Sequence, residues 1–178
     1  MLEIEKKYRL SDARRDLIVA SLKAAGAVFE REDHEENTIY NGNVLAETGA
    51  IVRIRRTATH SVLTYKRRIE GPSAVKRQIE YETEISDPDA ADKIVRGLSL
   101  TPRLVYEKRR RIWKFRKVEV VIDELPFGLF MEIEGSVSSI KEVEMLLDIE
   151  DLEAELDTYP RLTERLGKNV GRVIEARF

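Results

Sequence analysis

The chain has 178 residues, 42% of them hydrophobic, which fits a single domain over residues 1–178 with enough apolar material for a core. The charged fraction of 36% exceeds the usual figure of about a quarter, yet 31 basic against 33 acidic residues leave a net charge of only −2. This balance argues against a nucleic-acid footprint. The absence of cysteine excludes disulfides, thiolate metal sites and cysteine nucleophiles. A charged N-terminus and no apolar run near the roughly 18 residues of a membrane span predict a cytoplasmic protein without membrane contact.

In chain order, a strand is predicted from Leu2 to Leu10. Ser11 then caps a helix whose apolar positions Leu17, Ile18, Leu22 and Ala25 run to Gly26. Val28 to Asn41 reads as extended, Asn41-Gly42-Asn43 as a turn, and Ile51–Thr57 with Val62–Ile69 as a hairpin. Gly71-Pro72-Ser73 marks a loop, Gln78–Ser86 a strand, and Asp87-Pro88 the start of a short helix ending near Gly97. Three strands follow at Leu104–Phe115, Val118–Leu125 and Phe127–Gly135. A helix capped by Ser138 or Ser139 then runs through Leu147, and one or two more helices occupy Leu156–Val173. About eight strands joined by hairpins and inserted helices define an α+β domain built on a largely antiparallel sheet.

Within these strands charge keeps to one parity. Glu3, Glu5 and Lys7 alternate with Ile4; Arg53 and Arg55 flank Ile54; Glu80, Glu82 and Glu84 alternate with Ile79, Tyr81 and Thr83; Glu132 and Glu134 flank Ile133. Successive strand side chains point to opposite faces, so one face of the sheet is ionic and the other must meet the helices. Curled into a barrel or trough, such a sheet has a charged interior and an apolar exterior. Lys7, Arg53, Arg55, Lys66, Lys108 and Arg110 are then candidate phosphate-binding cations. Glu3, Glu5, Asp123, Glu132 and Glu134, with Glu80 and Glu82 as weaker candidates, offer the hard oxygens that suit Mg²⁺ or Mn²⁺. Parity puts Arg109, Arg111 and Trp113 outside, the last under a helix. His34 and His60 lack metal-ligand spacing and read as surface residues.

The ordered set Glu3-x-Glu5-x-Lys7, Arg53-x-Arg55, Lys66, the Glu80/Glu82/Glu84 strand, Lys108-x-Arg110, and Asp123 followed by Pro126, Gly128, Glu132 and Glu134 resembles the CYTH proteins, the triphosphate tunnel metalloenzymes. The resemblance spans nearly the whole chain. It implies an eight-stranded antiparallel β-barrel, a tunnel open at both ends with flanking helices, and a divalent metal. It also implies a triphosphate-bearing small molecule: tripolyphosphate, ATP or thiamine triphosphate. By the same resemblance, Glu3, Glu5, Asp123, Glu132 and Glu134 hold metal, the six cations grip phosphates, and Glu5, Lys7 and Glu132 are the candidate catalytic residues. Thr158-Tyr159-Pro160 is similar to the family's Ser-Tyr helix start, with Thr in place of Ser. The first functional expectation is a metal-dependent triphosphatase, which needs no base-binding site. The alternatives are a class IV adenylyl cyclase and a non-catalytic polyphosphate or nucleotide binder. Homodimerisation through the outer sheet surface is left open.

Overall fold

The computed structural model describes residues 2–69 and 76–178, and of these the side chains of residues 2, 3, 68, 76 and 77 are excluded. The loop read at Gly71-Pro72-Ser73 and the side chain of Glu3 therefore lie outside the described part. Ten strands and five helices follow in the order β1 (Leu2–Leu10), α1 (Asp12–Ala24), β2 (Val28–Asn41), α2 (Asn43–Thr48), β3 (Ala50–Arg56), β4 (Ser61–Ile69), β5 (Lys76–Glu84), α3 (Pro88–Gly97), β6 (Thr101–Phe115), β7 (Val118–Leu125), β8 (Gly128–Glu134), α4 (Val137–Leu146), α5 (Tyr159–Leu166), β9 (Lys168–Val170) and β10 (Val173–Ala176).

Strands pair in the order β2-β3-β4-β5-β1-β8-β7-β6, and β2 also pairs with β6, so eight antiparallel strands form a continuous ring of hydrogen-bonded neighbours. This is the predicted antiparallel barrel with flanking helices. The two short C-terminal strands attach outside the ring, β10 running parallel to β6 with Ile174 opposite Leu104.

Outward-facing side chains build the main core. Tyr8, Trp113, Val118, Val120, Ile122, Met131 and Ile133 pack against Ile18 and Leu22 of α1 and Ile140 and Val143 of α4. Trp113 is 2% exposed, as its parity requires. Both helices begin at caps that occupy otherwise orphaned amide donors. Ser11 Oγ accepts from Arg14 N, and Ser136 Oγ accepts from Ser139 N. The cap of α4 is thus Ser136 rather than Ser138 or Ser139.

Two other expectations change. Gly42 opens a short helix, α2, where a plain turn was read, and Gly49 ends it at φ +63°. The helical reading of Leu156–Val173 holds only for α5. Gly167 packs where an added Cβ would lie 2.6 Å from Thr163 O, and Gly171, at φ +63°, turns β9 into β10. β-branched residues beyond Gly167 favour that hairpin.

Inside the ring, one end is apolar. Ile39, Leu104, Tyr106, Leu125 and Phe130 share the inward parity of the charged residues and pack against Tyr159 and Leu162 of α5. This cluster packs α5 against that end of the barrel interior. The reason is visible in α5: Thr158 caps it, Pro160 fits its first turn, and its buried face has no other core to join.

Candidate active site

Above the apolar end lies a cavity of about 850 Å³. All six expected cations line it: Lys7 from β1, Arg53 and Arg55 from β3, Lys66 from β4, and Lys108 and Arg110 from β6. Glu5, Glu80, Glu82, Glu132 and Glu134 line it too. Strand register explains the pairing of opposite charges, since Lys7 faces Glu132, Lys66 faces Glu80, Lys108 faces Glu35 and Arg110 faces Asp123 across adjacent strands.

Asp123 stands apart from the other expected metal ligands. It is fully buried behind the cavity and its oxygens are occupied. Arg110 Nε and Nη2 donate to it at 2.7 and 2.6 Å, Tyr159 Oη donates at 2.7 Å, and Lys108 Nζ lies 3.4 Å away. Opposite it, Glu35 is 1% exposed and lies 3.4 Å from Lys108 Nζ, 3.6 Å from Arg55 Nε and 4.0 Å from Arg110 Nε. Burial alone would raise the pKa of Glu35, but Lys108, Arg55 and Arg110 overcome it and hold the carboxyl well below its usual range. Lys108 responds in the opposite sense. Burial first, then Arg110, push it down to about 8, against the attraction of Asp123, Glu35 and Glu132.

Glu132 bridges two cations, Lys7 at 3.2 Å and Arg110 at 2.7 Å. Lys7 is further fixed by α5 and the segment before it. Its Nζ donates to Asp157 O at 3.2 Å and sits 3.7 Å above the Tyr159 ring. Tyr159 stays protonated because burial, then the charge of Asp123, raise its pKa.

The carboxylate oxygens on the cavity wall are of the hard type that Mg²⁺ and Mn²⁺ prefer. Glu5, Glu134 and Glu119 occupy directly opposed positions across β1, β8 and β7. Like charges side by side are unfavourable unless positive charge joins them. No group of three or more Asp, Glu or His is already drawn together as a metal cage among the described residues.

The structure thus brings together every expected site residue whose side chain is described, with Asp123 placed behind the cations rather than on the cavity wall. Glu35 and Glu119 were missed. Residues 30–36 carry charge on both parities, so no alternation singles out Glu35, and a β-bulge between Phe29 and Arg31 disturbs the register. Glu119 follows from the inward parity of Val121 and Asp123, a signal that was available. Of the two histidines, His34 is exposed beside Glu107 at 3.8 Å, and His60 is tied to Thr57.

This ring of antiparallel strands around a two-signed ionic cavity defines a β-barrel protein with a charged interior. Residues 1–161 match the CYTH domain model, and the chain belongs to that family. It is 30% identical over 154 residues to a Methanocaldococcus jannaschii protein named "Putative adenylate cyclase MJ0240", covering 83% of this chain and 85% of the relative. Among solved structures, the PH1012 protein of Pyrococcus horikoshii superposes with a TM-score of 0.78 at 24% identity, covering 90% of this chain and 98% of that one. HpAC1 of Hippeastrum, which carries an adenylyl cyclase name and a dominant triphosphatase activity, superposes at 0.70 with 18% identity, covering 97% and 99%. No helix among the described residues is long and apolar enough to cross a membrane.

Proposed function

We propose that the protein is a divalent-metal-dependent hydrolase of a triphosphate substrate: inorganic tripolyphosphate, a nucleoside triphosphate or thiamine triphosphate. The supporting observation is the convergence of Lys7, Arg53, Arg55, Lys66, Lys108 and Arg110 on one cavity. Phosphoryl transfer asks a protein chiefly for positioning and for neutralisation of charge spread over phosphate oxygens. Arginines supply planar two-point contacts and lysines point charges.

Glu5, Glu132 and Glu134 are the residues that would hold Mg²⁺ or Mn²⁺, which when bound supplies further neutralisation of phosphate charge. Glu132 also reaches Lys7 and Arg110, so it links the metal-holding and phosphate-gripping sets. Incubation with tripolyphosphate, ATP and thiamine triphosphate plus either metal should release orthophosphate from at least one. No release from any of them sinks the reading.

A second reading, adenylyl cyclase, draws on the likeness to the Methanocaldococcus jannaschii protein of that name. Cyclic AMP plus pyrophosphate from ATP would establish it, and ADP plus orthophosphate would favour hydrolysis. Tight binding with no turnover would leave the non-catalytic binder.

A further inference from the structure

The cavity carboxylates fall into two populations. Asp123 and Glu35 are almost wholly buried and hold Lys108 and Arg110 from behind. Glu82 has a side chain 40% exposed and stands on the cavity wall itself. It lies 3.4 Å from Arg53 Nη2 and 3.7 Å from Arg55 Nη2, and it accepts a hydrogen bond from Thr64 Oγ1 at 3.0 Å. One inward position earlier, Glu80 lies 2.8 Å from Lys66 and 3.7 Å from Arg53.

A glutamate carboxylate and a phosphate group offer arginine the same kind of paired oxygen acceptors. The β5 glutamates therefore sit where phosphate oxygens of a ligand would contact Arg53, Arg55 and Lys66. Their hold is incomplete. Nε of both Arg53 and Arg55 is buried without a hydrogen-bond partner. Such donors cost free energy until an acceptor arrives. Arg53 also crowds Arg55, so burial and then this neighbour lower the pKa of Arg55. Each arginine thus keeps one buried Nε–H donor for an incoming acceptor, even though Glu35 lies 3.6 Å from that of Arg55.

We propose that Glu82, assisted by Glu80, is an internal competitor for the triphosphate: ligand phosphates displace its carboxylate from Arg53 and Arg55, and that exchange sets the affinity of the cavity. The proposal rests on the triphosphate reading of this site. It assigns Glu82 an affinity-setting role that does not depend on metal. Such a residue keeps the arginines oriented in the absence of ligand and discriminates against monophosphates, which bring too little charge to replace it.

The test is calorimetric titration of the full chain with tripolyphosphate in the presence of EDTA, comparing wild type with Glu82→Gln. Glutamine keeps the shape and removes the charge, so binding should tighten about five- to tenfold. Thr64→Val removes a hydroxyl that donates to Glu82 and accepts from Arg53 Nη2 at 3.2 Å, so it loosens the carboxylate and frees an Arg53 donor; it should shift affinity the same way by about two- to threefold, and it serves if Glu82→Gln does not fold. A loss of packing would weaken binding in either variant, so tightening is not a structural by-product. Unchanged or weaker metal-free binding in a folded variant overturns the proposal. Failure of the wild type to bind tripolyphosphate at all overturns instead the reading on which it rests.

Discussion

The two ends of the barrel interior are made by the same strands and the same parity, yet they differ completely in chemistry. Along the inward face of β6 the order is Leu104, Tyr106, Lys108, Arg110; along β8 it is Phe130, Glu132, Glu134; along β2, Glu35, Asn37, Ile39. Parity decides only which side chains face inward. Position along the strand decides whether they join the plug under α5 or the ionic cavity. The apolar end also serves the ionic one. Tyr159 packs edge-on against Phe130 at 5.5 Å while its hydroxyl donates to Asp123, so the plug carries a hydrogen-bond donor to the boundary with the charges.

Breaking the ionic end at its buried anchor should have the largest effect. Asp123→Ala removes the closest buried acceptor of Arg110 and one of the two buried carboxylates beside Lys108. Removing one partner of a buried ion pair costs about 3–5 kcal/mol, which denaturant unfolding would register; a cost under about 1 kcal/mol would show that the cations re-pair with Glu35 and Glu132. Glu132→Gln should follow, lowering kcat about 10²- to 10³-fold, an effect of the size seen when one preorganised charge-stabilising group is lost. Tripolyphosphate binding should survive that change, and unchanged turnover would remove Glu132 from the reacting centre. Breaking the apolar end through Leu162→Ala should cost about 2–3 kcal/mol of stability. Since Leu162 is fully buried in the plug and does not line the cavity, KM should move little. A large KM change with normal stability would show that the plug shapes the phosphate site directly.

The contrast between the ends also explains what could be read from the amino acids alone. Alternation dominated β1, β3, β5 and β8 despite Lys6, Arg56 and Arg77 on the opposite parity, so Glu5, Lys7, Arg53, Arg55 and Glu132 could be placed on one face before any strand pairing was known. The plug was not legible, because Leu104, Tyr106 and Phe130 on the inward parity look like interruptions of the pattern until α5 is seen to cover them. Glu35 was hidden by charges on both of its flanks and gains meaning only from the β2–β6 register that sets it opposite Lys108. Asp123 was correctly placed inside. Its engagement by Arg110 and Tyr159 is a matter of side-chain reach, which strand parity does not encode.

The smallest expected effect is a titration, and it reports on the boundary between the two ends. Lys108 is 1% exposed, with Asp123 and Glu35 in contact, Arg110 on its own strand, and the Tyr159 ring 5.2 Å away. Burial and Arg110 depress its pKa to about 8 in the folded chain. The unfolded chain binds more protons between about 8 and the ordinary lysine value of about 10.4, so ligand-free stability from this group rises with pH across that window. Phosphate binding shows the reverse trend, because an anion needs the ammonium form. Above about pH 8 the ligand must recruit a proton, and affinity for tripolyphosphate should fall by up to about tenfold per pH unit. Lys108→Arg keeps its charge throughout this range and should flatten that limb. Calorimetry at several pH values, in buffers of different ionisation enthalpy, would show proton uptake in the wild type and none in the variant. The same alkaline limb in both proteins would assign the titration to another group at the site.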